Sequence, residues 1–272
     1  MAETGREGER QRARTRRLRL EAALRRANAL IEVVDARAPA ASRSPLMARG
    51  RFAARPRVVV LARADLARPE VTRLWLEHLG AAGTPALAAD ARAGRGTAAV
   101  LSALRRLRPA AEVRAMVVGL PNLGKSSLVN RLAGTARAAT GDRPGVTVGE
   151  QWVRARPWLL LLDEPGVLPA GGSPLLAALG CLAEGEYDPE EAFAALWSVD
   201  EVRAVLGRRW PGAGEAPTAA QALEACARAL GAVASGGRWD GRRAARQVLG
   251  LFRSGRLGRL SLELPPSGGE EP

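Results

Sequence analysis

Apolar and polar positions follow two rhythms in the first part of the chain, one with helical spacing and one of short continuous apolar runs. From Leu18 to Ala29 apolar residues recur at Leu18, Ala22, Leu24 and Ala27 with arginines between them, which predicts a basic amphipathic helix. Leu30–Asp35 reads as a buried strand and Arg57–Ala62 as a second, with a helix at Pro69–Leu79. Pro85–Ala89 is a third strand, followed by a helix at Gly96–Leu107. Ala115–Leu120 is a strand that feeds a helix at Gly124–Leu132, and strands at Glu150–Arg154 and Trp158–Asp163 complete the series. Strands alternating with helices imply an α/β fold, a largely parallel sheet with helices on both faces.

The rhythm changes near Gly166. Residues 168–173 are rich in Pro and Gly and read as a linker. Beyond them only helical patterns occur, at Leu175–Leu182, Glu190–Leu196, Val199–Leu206, Thr218–Val233 and Gly241–Phe252. The expected organisation is a basic, flexible N-terminus (1–17), an α/β domain (18–167), the linker, an all-helical domain (174–264) and a loose tail (265–272). Glu3, Glu7 and Glu9 argue against a transit peptide, and no apolar run reaches the ~18 residues a membrane-spanning helix needs. A cytoplasmic, monomeric protein without membrane contact is the expectation.

Composition narrows this further. With two cysteines and one histidine, His78, a disulfide scaffold and a Cys/His zinc site are excluded. The 41 Lys+Arg against 28 Asp+Glu leave a formal net charge of +13, which suits a polyanionic partner, nucleic acid before membrane. An arginine-rich surface on an ordinary soluble enzyme is the alternative. The stretch from Arg238 to Arg259 alone carries seven arginines. Only one basic residue, Lys125, is a lysine, so that position calls for a compact ammonium on a flexible stem rather than a planar fork.

Lys125 lies in Gly119-Leu120-Pro121-Asn122-Leu123-Gly124-Lys125-Ser126, which fits G-x-x-x-x-G-K-[ST] between a predicted strand and a predicted helix. Glycines let backbone N–H groups close around phosphate oxygens, and the helix start adds a favourable dipole. Lys125 is expected to reach the β- and γ-phosphates, with the Ser126 hydroxyl on Mg²⁺ and Ser127 beside it. Asp163, at the end of the last apolar strand, is the candidate second magnesium group, and the Gly166 N–H is placed to sense a γ-phosphate. Gly141–Thr147 has the composition of a switch loop, with Thr147 as its magnesium and γ-phosphate contact. A surface loop and a simple D-x-P-G turn are the plainer readings of those two segments.

At this point the sequence resembles the circularly permuted P-loop GTPases of bacterial ribosome assembly, the ribosome biogenesis GTPase A (YlqF-like) family. The segment from Asp35 to Pro45 is similar to the family's D-A-R-x-P-x-S-S-R-N-P, and Leu61–Leu66 stands where the family has L-N-K-x-D-L. The phosphate loop, Thr140–Thr147 with Gln151-Trp152, and Gly255–Ser261 extend the likeness over most of residues 20–264. The guanine-reading candidate around Asp65 precedes the phosphate loop instead of following it, which is the permuted order. The resemblance implies a three-layer P-loop fold, GTP/GDP and Mg²⁺ as ligands, GTP hydrolysis, and a helical domain that binds rRNA on the maturing large subunit.

The resemblance also assigns the base-side residues. Asp65 would accept from the guanine N1–H and exocyclic amine, the Arg63 stem would lie over the base, and the Ala91 N–H would meet O6. Where the family has Asn and Lys this chain has Ala62 and Arg63. The lost asparagine is worth about 1–3 kcal/mol if a buried partner goes unpaired, so guanine preference should survive with affinity reduced ~10–100-fold. Glu164 replaces a threonine, Val167 stands where Ras-like enzymes keep a water-orienting Gln, and the stretch Gln11–Arg14 lacks the family's histidine. Slow hydrolysis away from the ribosome is the consequence. Asn122, in a P-N-x-G-K-S setting, suggests a bound K⁺ in place of an arginine finger. The competing expectation is an RNA-binding assembly module whose nucleotide site has degenerated.

Overall fold

The computed structural model describes residues 18, 20–48, 50–134, 152–163 and 172–266. Its centre is a six-stranded sheet of β1 (Ala29–Asp35), β2 (Arg57–Ala62), β3 (Ala86–Ala89), β4 (Val113–Val118), β5 (Trp152–Arg156) and β6 (Leu159–Asp163). The order is β3-β2-β1-β4-β6-β5. All neighbours are parallel except β5, which runs antiparallel to β6 at the edge. Only Pro157 and Trp158 join those two strands, far too few residues for a parallel crossover.

The central strands alternate faces, and each face has its own helices. Leu30 of β1 joins Met116, Val118 and Leu162 under α1 (residues 20–26), which buries Leu20, Ala23 and Leu24. Further along the same face, Val34, Val59 and Leu61 receive Val71, Trp75 and Leu79 of α3 (Pro69–Ala81). On the opposite face Ile31, Val33, Val58, Val60, Ala115 and Val117 lie in one cluster with α4 (Thr97–Leu107) and α5 (Lys125–Ala133). This is the expected three-layer sandwich. A 3₁₀ turn at Pro45–Ala48 and a four-residue α2 (Gly50–Ala53) add Met47 and Phe52 to the first face. Neither has a periodic signature in the sequence.

The second half is helical: α6 (Pro174–Leu179), α7 (Pro189–Trp197), α8 (Asp200–Arg209), α9 (Ala219–Leu230) and α10 (Gly241–Arg253). Ser173, Asp188, Thr218 and Asp240 cap four of them by accepting from first-turn N–H groups. The helices expected at Leu175–Leu182 and Thr218–Val233 stop short, at Leu179 and Leu230. Gly180 and Gly231 adopt left-handed conformations there and close the last turn.

The two halves are not packed independently. Leu120 and Leu123 share a buried cluster with Leu176, Leu179, Cys181, Leu249 and Phe252. Residues 260–263, expected within the helical region, are non-helical and lie along the first half. There the Leu260 and Leu262 N–H groups donate to Leu66 O (3.0 Å) and Arg37 O (2.7 Å), and Trp75 Nε1 donates to Glu263 O (3.2 Å). Among the described residues no helix is long and apolar enough to cross a membrane. The expected N-terminus 1–17, all but two residues of the expected tail 265–272, most of the linker and the switch loop lie outside the described residues.

Candidate functional site

Parallel strands present their carboxyl ends together, and the loops that leave those ends line a cleft of about 630 Å³. Its walls come from three directions. Asn122, Leu123, Gly124, Lys125, Ser126 and Ser127 follow β4; Ala62 ends β2, and Arg63, Asp65 and Leu66 follow it; Asp90, Ala91 and Arg92 follow β3. Gly250, Arg253 and Ser254 close it from α10.

The first wall is shaped by backbone. Gly119 has φ 156°, and a Cβ there would sit 2.5 Å from Val33 O, so only glycine lets the loop leave β4 against β1. Asn122 and Gly124 both take positive φ, 58° and 89°, which turns the chain into the start of α5. Lys125 is only 7% exposed, and its Nζ donates to Leu120 O at 2.8 Å. Burial holds its pKa below the usual lysine value; the negative charge of Asp163 opposes that shift. A buried ammonium offset by one carboxylate leaves local positive charge for an anion to neutralise.

The same wall fits a magnesium ion bound together with phosphates. Ser126 and Ser127 are exposed in the first turn of α5 and face the cleft. Asp163 is half-buried at the end of β6, paired in register with Val117 of β4. Among the described residues no group of three or more His, Cys, Asp or Glu could form a protein-only metal cage. One hydroxyl, one carboxylate and ligand phosphates are the donor set that Mg²⁺ favours.

The other two walls are held by arginines. Arg63 has φ 57°, an uncommon conformation outside glycine. Its guanidinium donates to Asp35 Oδ2 (3.2 Å), to Leu179 O (3.3 Å) and to Asn122 O. The expected placement over the base therefore applies to its stem at most, because a buried carboxylate and two carbonyls hold the charged head. Arg131 of α5 donates Nε–H to Ala91 O at 2.9 Å and a second N–H to Arg92 O. Asp90 fixes the same turn, accepting from the Arg92 and Ala93 N–H groups (3.0 Å each) and from Arg95 (2.7 Å). Ala62 offers no side-chain hydrogen bond, and Asp65 is half-buried on the rim.

Behind the cleft lies a fully buried ion pair. Arg37 Nε and Nη2 donate to the two Asp35 carboxylate oxygens at 2.8 Å each. Burial pushes the Asp35 pKa up, but the charges and hydrogen bonds of Arg37 and Arg63 outweigh it, so the carboxyl stays below its ordinary range. Arg37 also donates to Phe252 O (3.3 Å) and lies 4.4 Å over the Phe252 ring, which ties the end of β1 to α10. Asn122 Nδ2 donates to Gly180 O at 2.9 Å, and Arg253 donates to Ala177 O (2.6 Å), Ala178 O (3.1 Å) and Tyr187 Oη (3.0 Å). The Cys181 thiol, pushed by burial to about 12, stays protonated as a core thiol beside these groups.

Of the residues expected from sequence, Ala62, Arg63, Asp65, Ala91, Asn122, Leu123, Gly124, Lys125, Ser126 and Ser127 meet on one cleft. Pro121, in the loop, and Asp163, at the end of β6, do not line the cleft. Thr147 and Gly166, with Glu164 and Val167, lie outside the described residues. His78 sits away from the cleft on α3, with its ring edge-on to Trp75 at 5.7 Å. Sequence reasoning missed the α10 wall and the Arg131 clamp. Both lie just beyond a recognised segment, Arg131 after the phosphate loop and Arg253–Ser254 before Gly255–Ser261, and helical spacing alone does not say which side chain or helix end turns toward which loop.

Similarity to known proteins agrees with this geometry. The 50S ribosome-binding GTPase family matches residues 114–225. Ribosome biogenesis GTPase A of Bacillus cereus is 33% identical over 263 residues, covering 89% of this chain and 88% of that protein. The protein of the same name from Priestia megaterium is 44% identical over 151 residues, and that match spans about half of each, 50% of this chain and 52% of the relative. Among solved structures, GDP-bound YlqF superposes with a TM-score of 0.68 at 26% identity, covering 90% of this chain and 98% of that one. GNP-bound YlqF from Thermotoga maritima gives 0.68 at 25% identity, covering 92% and 97%.

Proposed function

The chain belongs to the ribosome biogenesis GTPase A family, and from that premise we propose that it binds and hydrolyses GTP as an assembly factor for the large ribosomal subunit. The observation that carries this reading is the single cleft in which the Lys125 loop, Asp65 and the Ala91 turn converge. In it, Lys125 and the Gly124–Ser127 N–H groups neutralise the triphosphate. Asp65 reads guanine N1–H and the exocyclic amine, and the Ala91 N–H meets O6. Ser126, Thr147 and Asp163 would hold Mg²⁺, which would offset the charge of the phosphates. Water attacks the γ-phosphorus, its bond to the β–γ bridging oxygen breaks, and GDP and phosphate leave; Gly166 contacts the γ-phosphate before that step.

Residues 18–167 are the GTPase domain in this reading, 168–173 the linker and 174–264 a helical domain that binds rRNA of the large-subunit precursor. Gly141–Thr147 and Asp163–Gly166 would be the segments that respond to bound GTP and Mg²⁺ and pass that response to the helical domain for rRNA binding. With no histidine in Gln11–Arg14 and Val167 apolar, turnover is slow until the preribosome stimulates it. A K⁺ ion held with the help of Asn122 would supply further charge; equal turnover in K⁺ and Na⁺ would exclude it. The protein acts as a cytoplasmic monomer.

The experiment is GTP turnover by the full chain with and without large-subunit particles. Stimulation that disappears in Lys125→Ala supports the reading; no turnover under either condition overturns it. Ala62 and the committed Arg63 head favour a second reading, an RNA-binding module with a weak nucleotide site. Under that reading Lys125→Ala associates with the particles as well as the unaltered chain does, in the presence of a non-hydrolysable GTP analogue.

A further inference from the structure

Six tryptophans occur in the chain, and five are buried or half-buried. Trp239 is the exception at 42% exposed, and its cross-strand neighbour Val233 is 43% exposed. The two form an antiparallel bridge. Hydrogen bonds flank them on either side, from Ala234 N–H to Arg238 O and from Asp240 N–H to Ala232 O, each 2.8 Å. Gly236 and Gly237, both at positive φ (84° and 77°), make the turn. Asp240 then caps α10, accepting from Arg243 N–H at 2.9 Å. A large aromatic residue is thus left partly open to solvent on a hydrogen-bonded hairpin anchored to a helix.

Charge along the adjoining chain points to the partner. Arg238, Arg243 and Arg246 are exposed, and among the described residues none has a carboxylate partner; Arg242 alone reaches one, Asp188, at 3.5 Å. The apolar face of α10 (Ala244, Ala245, Val248, Leu249, Phe252) is fully buried, so no amphipathic surface is left to enter a lipid interface. A partly exposed indole on a segment whose neighbours along the chain, Arg238, Arg243 and Arg246, are exposed and lack carboxylate partners among the described residues matches an unstacked base flanked by phosphates, the situation found in single-stranded loops of RNA.

We infer that the 233–239 hairpin is a base-stacking contact for a single-stranded RNA segment, with Trp239 under the base and Arg238, Arg243 and Arg246 on adjacent phosphates. This deepens the reading of the helical region as RNA-binding and rests on it. The test is fluorescence anisotropy of the full chain with a labelled RNA hairpin carrying a single-stranded loop, across a salt series. Trp239→Ala should lose about 10-fold in affinity while keeping the salt slope, and Trp239→Phe should keep most of the affinity. Arg243→Gln with Arg246→Gln should lower the salt slope by about 1–2. If the arginine variants weaken binding and Trp239→Ala does not, the stacking contact is wrong while RNA binding stands. If the unaltered chain binds no RNA, the RNA-binding reading itself fails. Loss of ribosomal-particle or anionic-vesicle binding by Trp239→Ala, with RNA affinity intact, would reassign the hairpin to a protein or a lipid surface and overturn the inference.

Discussion

The two sides of the cleft are built by different means. The phosphate side takes its shape from backbone: Gly119 packed on Val33 O, Asn122 and Gly124 at positive φ, and a helix that starts at the only lysine. The base side takes its shape from side chains. Arg63 ties the β2 loop to Asp35 and Asn122 O, Arg131 clamps the Ala91–Arg92 carbonyls, and Arg37 fastens the whole strand end to α10. Backbone geometry is tied to a motif and survives a change in composition. Side-chain clamps are set by tertiary packing: Arg63 and Arg131 hold this wall, to which Ala62 contributes no side-chain hydrogen bond.

The largest effect should come from the arginine-held side. Arg37→Met keeps volume but leaves Asp35 buried with Arg63 alone, and should cost about 3–5 kcal/mol in urea unfolding. The pH dependence follows from the lowered Asp35 pKa. Its stabilising contribution is present above the unfolded value, about 3.9, and is lost as pH falls through the lower folded value. Without Arg37 the folded pKa rises, so acid unfolding of the variant should begin at higher pH. Unchanged urea and acid midpoints would show that the pair is not what holds the strand end.

Lys125→Ala tests the other side. The fold should survive, because the side chain makes one hydrogen bond to Leu120 O, while GTP affinity should drop by at least about 100-fold, or ~2.7 kcal/mol. Lys125→Arg should not restore it, since a planar fork does not fit a 7%-exposed slot. Wild-type affinity in either variant, measured by calorimetry, would remove the backbone wall from the nucleotide site.

Legibility followed the same divide. The phosphate wall could be read at the level of single residues, because G-x-x-x-x-G-K-S fixes local geometry and spacing. The strands were also readable, since fully buried parallel strands are continuous apolar runs. β4 nevertheless starts two residues before its expected position, because Val113 already pairs with Leu159. The Arg63, Arg131 and Arg253 contacts were not readable. In a chain with this many arginines, composition marks none of them, and each finds its partner only through tertiary packing. The short turns at Pro45–Ala48 and Gly50–Ala53 escaped for a related reason: they span too few residues to show a period.

Smaller changes sharpen the contrast on the base side. Ala62→Asn should raise GTP affinity by about 10-fold, the lower end of the range set by one buried hydrogen bond, without helping ATP. Arg131→Ala should free the Ala91 turn and weaken GTP by about 3–10-fold, the worth of one to two ordinary hydrogen bonds. A 2-aminopurine nucleotide, which lacks O6, should bind both forms alike; equal losses for both ligands would mean the clamp is merely structural. The smallest effect belongs to Glu263, whose pKa is raised by burial although the Ala41 and Ala40 N–H groups oppose the shift. Its protonated form favours the fold below the unfolded pKa, and that contribution is lost as pH rises through the folded value. Glu263→Gln should flatten this part of the stability profile, changing neutral-pH stability by about 1 kcal/mol or less.

The central claim is that one cleft combines a backbone phosphate cradle with an arginine-braced reader of guanine. It is tested most directly by titrating the full chain with GTP and with ATP in the presence of Mg²⁺. GTP binding at least about tenfold tighter than ATP, a difference of ~1.4 kcal/mol, is the predicted result. Equal affinities, or no binding of either nucleotide, would contradict it.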